Sequence, residues 1–140
     1  MSERTVMASI AAIVSIGAKD AAKLRRSGVR TTEALLRRGA TRRGRTELAA
    51  EAKCTEAQIL EWVNRADLMR VRGVGQEYAD LLEASGVDTV KELGRREPAI
   101  LTGKMAQVNE KKKLVRRLPT EAMVERWVEH AGQLDGRVTH

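Results

Sequence analysis

A chain of 140 residues carrying 26 Lys and Arg against 19 Asp and Glu, net charge +7, has room for one domain or two very small ones that must pack together to bury a core. The single cysteine, Cys54, excludes an internal disulfide and fits a reducing compartment, while two prolines and only Trp62, Trp127 and Tyr78 as aromatics leave Leu, Val, Ile, Ala and Met to build a helical interior. No run keeps a period of two, so no sheet is expected.

The apolar start, Val6 to Ala18, reads as an opening helix and not as a signal-peptide core, because Ile10 and Ile13 align with Leu68 and Val71 ahead of a later copy of the same pattern. It is too short to span a membrane, and a cytoplasmic protein with no membrane partner is expected. Residues 15–38 return 58 positions later as residues 73–96, with ten of 24 aligned positions identical, among them Gly17/Gly75, Ala21/Ala79, Leu24/Leu82, Gly28/Gly86 and Leu35/Leu93. A second window, Thr55 to Ala66, returns at Thr120 to Ala131 with an offset of 65, so seven residues are inserted inside the second copy. Each copy is one supersecondary unit, residues 1–68 and 69–140, and together they predict about ten short helices in one body.

Within each copy the string Ser-Gly-Val-x-Thr-x-x-x-Leu recurs, at Ser27 to Leu35 and at Ser85 to Leu93. Gly28 and Gly86 are placed to end a helix in left-handed caps, Val29 and Val87 to enter the core, and Thr31 and Thr89 to cap the next helix. Leu48, Ala49, Cys54, Thr55, Ile59 and Trp62 then fall at the spacing of a helix-turn-helix, with Lys53 where the turn prefers Gly. Its second helix would expose Glu56, Glu61 and Asn64, a poor surface for a major groove, so the pair is read as docking Trp62 inward, and Trp127 likewise. Cys54 reads as a small buried hydrophobe. Leu24, Leu35, Trp62, Leu82, Leu93 and Trp127 are the expected core.

Charge is unevenly placed. Lys19 to Arg45 holds ten basic residues against Asp20 and Glu33, and Lys104 to Arg117 holds six against Glu110. Such clusters are the footprint of a polyanion binder, or simply a solvated face.

Val71 to Leu82 has the form of helix, tight Gly-apolar-Gly turn, helix. Gly73 and Gly75 allow positive dihedral angles, Val74 plugs the angle between the helices, Ala79 lets them approach, and the helix from Gln76 opens with N–H groups that can hold a phosphate. This passage resembles the helix-hairpin-helix superfamily of DNA-repair, recombination and polymerase-associated proteins. Over nearly its whole length, through Glu61 to Arg70, Gly73-Val74-Gly75 and Lys112 to Pro119, the chain is similar to a bacterial family known as domain of unknown function 4332. The resemblance implies an all-α fold of two pseudo-symmetric tandem helix-hairpin-helix repeats; hairpins of this type touch nucleic-acid backbone and also serve as protein-protein modules. The copies depart from the pattern differently. The first has Ser15-Ile16-Gly17, one turn glycine short, and the second is followed by Glu77, Asp80 and Glu83, which share a helix face beside the phosphate position and would repel it.

With only His130 and His140 and a lone cysteine, no metal site is expected, and no phosphate-binding loop, nucleophile elbow or Ser-His-Asp arrangement points to catalysis or a cofactor. The expectation is a non-enzymatic module that binds duplex or structured nucleic acid without base specificity. Its candidate contacts are Gly17, Arg25, Arg26, Arg37, Arg38, Arg42, Arg43, Arg72, Gly73, Gly75, Gln76, Lys111, Lys112 and Lys113. A scaffold or adaptor for another protein is the alternative.

Overall fold

A computed structural model of the chain describes residues 8–140, and among these residues it holds eight α-helices, one 3-10 turn and no strand. Helices α1 (Ala18–Arg26), α2 (Thr32–Gly39), α3 (Arg42–Ala52) and α4 (Glu56–Leu68) are followed by α5 (Gln76–Ala84), α6 (Val90–Leu93), α7 (Pro98–Lys112) and α8 (Glu121–Gln133).

Local chemistry sets most of these boundaries. Thr31, Thr41, Thr55, Thr89 and Thr120 each accept a backbone N–H of the first helical turn, and Thr55 with Gln58 forms a full capping box. Gly28 and Gly86 end α1 and α5 at φ +86° and +91°, a conformation that strains any residue with a Cβ. Lys53 and Lys113 adopt the same left-handed conformation at the ends of α3 and α7, with φ 57° and 50°. The offset between matching positions grows from 58 at Gly28/Gly86 to 60 at Lys53/Lys113 and 65 at Thr55/Thr120. Most of the insertion is therefore the loop between α7 and α8, residues 114–119.

All six expected core residues, Leu24, Leu35, Trp62, Leu82, Leu93 and Trp127, are buried, as are Val29 and Val87. The buried hydrophobics form two clusters, one from Ile10 to Ala66 and one from Leu68 to Ala131, and α4 contributes to both. Met69 packs against each.

Several expectations fail. In place of an opening helix over Val6 to Ala18 there is only a 3-10 turn, Ile10–Ala12; Val6 and Met7 lie outside the described residues. The backbone there is committed elsewhere: the Ile10 N–H donates to Arg30 O (3.1 Å) and the Thr32 N–H to Ala8 O (2.8 Å), around an isolated Ser9–Thr31 bridge. Asn64 is buried, not exposed. Gly75 does not need a positive angle: its φ is −94° and a Cβ there would meet nothing within 4 Å. Only Gly73, at φ +86° and 3.1 Å from Trp127 Nε1 by its would-be Cβ, needs to be glycine in that turn.

Buried charge joins the two clusters. The guanidinium of Arg65, 6% exposed, is held by Asp80 (2.7 Å), Glu83 (3.2 Å) and Glu61 (3.7 Å), tying α4 to α5. Asp67 is fully buried, accepts the Val90 N–H (2.9 Å) and pairs with Arg70 (2.8 Å). After α8 the chain turns back across the first copy as a strap, residues 134–140. Asp135 pairs with Arg70 (2.7 Å), Arg137 with Glu33 (2.8 Å), and Thr139 exchanges bonds with Ala40 O (2.8 Å) and the buried Arg45 (2.7 Å).

Candidate nucleic-acid interface

The expected contact residues fall on three parts of the fold. The first lies where α1 and α2 end and α3 begins. Arg25 and Arg26 occupy the last turn of α1 and Arg37 the last turn of α2, positions where cations also favour the helix C-terminus. The Arg38 guanidinium donates to Ser27 O (3.1 Å), which draws these two helix ends together. Arg42 opens α3 beside them. Arg25, Arg26, Arg37 and Arg42 are exposed and pair with no carboxylate among the described residues.

Other cations in this cluster are already engaged. Arg38 is also paired with Glu51, and its repeat counterpart Arg96 donates to Gly86 O (2.9 Å), so this repeated arginine closes the end of the preceding helix in both copies. Arg43 meets Glu47 (3.2 Å) in a fully solvated pair that holds it weakly. Arg45 is buried and donates to Gly39 O (2.9 Å), Ala40 O (3.2 Å) and Thr139 O; burial first, then neighbouring Arg42, hold its pKa below the usual arginine range.

The second part is the turn between α4 and α5. Gly17 and Gly75 are the N-cap residues of α1 and α5, both in extended conformation with no side-chain cap. Gln76 is less open than expected. Its Oε1 accepts the Val14 N–H (3.0 Å) and its Nε2 donates to Asp80 (2.8 Å), so its side chain ties the start of the first copy to α5. Asp80 and Glu83, expected to repel a docking phosphate, are each paired with Arg65 of α4. Glu77, in the first turn of α5, stays exposed. The Arg72 N–H donates to His130 Nδ1 (3.1 Å), and burial first, then Arg72 and Arg70, push the His130 pKa down. Arg72 and Gly73 border a cleft of about 780 Å³ between the copies, floored by Leu36, Val71 and Val74 and crossed by Asp135 and Arg137 of the strap.

The third part is the end of α7. Lys111, Lys112 and Lys113 are exposed, as are Arg116 and Arg117 beyond them, and among the described residues none of the five has an ion-pair partner. Helix α7 packs on α5 and α8, away from the first cluster. Among the described residues no group of three His, Cys, Asp or Glu could hold a metal, and Cys54 is half-buried with its thiol pushed up in pKa by burial and by Asp20. No helix of the described residues is long and apolar enough to cross a membrane.

A family model described as "Domain of unknown function (DUF4332)" matches residues 14–134. The chain belongs to the DUF4332 family. No curated protein and no solved structure matches it. The DUF4332 match takes in all three parts of the candidate interface and ends at Leu134, so the strap lies almost wholly beyond it.

Proposed function

We infer that this DUF4332 protein is a small non-enzymatic module of two pseudo-symmetric tandem helix-hairpin-helix repeats, residues 1–68 and 69–140, that grips the backbone of duplex nucleic acid without reading bases. Matching backbone angles at Gly28/Gly86, Thr31/Thr89 and Lys53/Lys113 support the repeat. The observation that carries the binding reading is two groups of exposed cations with no carboxylate partner among the described residues: Arg25, Arg26, Arg37 and Arg42 in the first copy, and Lys111, Lys112, Lys113, Arg116 and Arg117 in the second. Fixed, unneutralised charge of this kind displaces the counterions of a phosphate backbone. Too few aromatics are exposed for base stacking, which favours duplex over single strands.

Fluorescence titration of a random-sequence duplex should give a dissociation constant on the order of 10⁻⁴–10⁻⁶ M at physiological salt. Between about 50 and 200 mM salt the log-log slope should flatten by about 0.9 for each phosphate contact removed, as in Arg37→Ala with Arg42→Ala. No affinity at about 50 mM salt would overturn the reading.

A further inference from the structure

Three of the four exposed large hydrophobic side chains of the described residues lie on one stretch of chain: Ile100, 72% exposed, on α7, and Leu114 and Leu118, 36% and 42% exposed, in the inserted loop. They are set among Lys104, Lys111, Lys112, Lys113, Arg116 and Arg117, with Glu110 as the one acid from Lys104 to Arg117. The exposure is built, not incidental. Asn109 clasps Val115 with both halves of its amide, donating to Val115 O (3.1 Å) and accepting the Val115 N–H (2.9 Å), and the Tyr78 hydroxyl donates to Arg117 O (3.1 Å). Val115 and Pro119 are buried. The loop is thereby pinned at both ends while Leu114, Arg116, Arg117 and Leu118 stay in solvent. On α7, Ile100, Lys104 and Lys111 fall on one helical face.

We propose that α7 and the loop 113–119 form a surface that docks on an anionic lipid bilayer, the cations meeting headgroups while Leu114 and Leu118 enter the interfacial layer. A phosphate backbone alone gives aliphatic side chains nowhere to go, whereas a lipid interface accepts an apolar side chain and a cation side by side. The first copy lacks the loop, so the fold itself does not require it. That no helix of the described residues is long and apolar enough to cross a membrane does not bear on contact with its surface. The proposal stands apart from the nucleic-acid reading: the two share the lysines and differ at the leucines.

The test is co-sedimentation of the full chain with phosphatidylcholine vesicles, with and without about 30 mol% phosphatidylserine, at about 100 mM salt. Binding is expected only to the serine-containing vesicles. Lys112→Ala with Lys113→Ala should weaken it on the order of fivefold per charge, and Leu114→Ser with Leu118→Ser on the order of tenfold, the latter with duplex affinity unchanged. Leu118→Trp supplies a second readout, because Trp62 and Trp127 are each only 3% exposed: its emission should shift to the blue and be quenched by lipids brominated along the acyl chain. Binding that ignores the leucines, an equal response to polyglutamate, or an unquenched Leu118→Trp would overturn the proposal. Duplex binding without vesicle binding would also overturn it and leave the nucleic-acid reading standing; vesicle binding without duplex binding would do the reverse.

Discussion

Single residues here divide into those whose partner is near in sequence and those whose partner is far. Thr31, Thr55, Gly28 and Gly86 act within a few positions of themselves, and their roles could be read directly from the chain. The roles of Arg45, Arg65 and Arg70 could be read only in part, since besides near partners each is held from far along the chain, at Thr139, Asp80 and Asp135, and composition counts every arginine alike. Buried Asp67 gives a direct test. Asp67→Ala strands the Val90 N–H and half of Arg70's pairing in a dry site, and should cost about 3 kcal/mol or more in urea unfolding. His130 gives the pH dependence. Its folded pKa lies below its unfolded value, so the unfolded chain takes up the proton first and stability falls as pH drops below about 6.5. His130→Asn keeps an acceptor near the Nδ1 position but cannot titrate, so its urea midpoint should change less between pH 7.5 and 5.5 than the wild type's.

At the scale of the element, the turn between α4 and α5 separates glycine that is needed from glycine that is merely present. Gly73→Ala must hold a left-handed angle and press a methyl toward Trp127, and should destabilise by about 1–2 kcal/mol. Gly75→Ala meets open space at an ordinary angle and should shift stability by less than about 0.5 kcal/mol, read from the same thermal melts. The pattern Gly-apolar-Gly was visible in the sequence, but not that Gly73 alone takes the left-handed angle or that it faces Trp127, 54 positions on. The expected opening helix does not form for a related reason. Helical periodicity from Ile10 onward was outweighed by the backbone pairing of Ala8 and Ile10 with Thr32 and Arg30, which no local pattern announces.

For the whole molecule, the all-α class, the expected core and the duplicated caps were legible because the sequence writes the same strings twice. The link between the copies was not, because the strap, Gln76 and Arg65 occur outside the repeated strings or act across them. Arg45→Ala should leave Gly39 O and Thr139 O without this donor, Ala40 O keeping the Thr139 N–H, and loosen the strap. The expected result is faster amide exchange at Thr139, with a loss of about 2 kcal/mol or more in global stability.

The strap also fixes how tension would run through the molecule. Near one end of the described chain Ala8 is bonded to Thr32, and near the other Thr139 is bonded to Ala40, so both anchor points sit on the first copy. Pulled apart at Ala8 and His140, the protein would carry the load through the first copy alone, leaving the second slack until the strap peels. In an optical trap the first rupture should therefore be short, releasing only the few residues beyond α8, and α5 to α8 should feel force only after it.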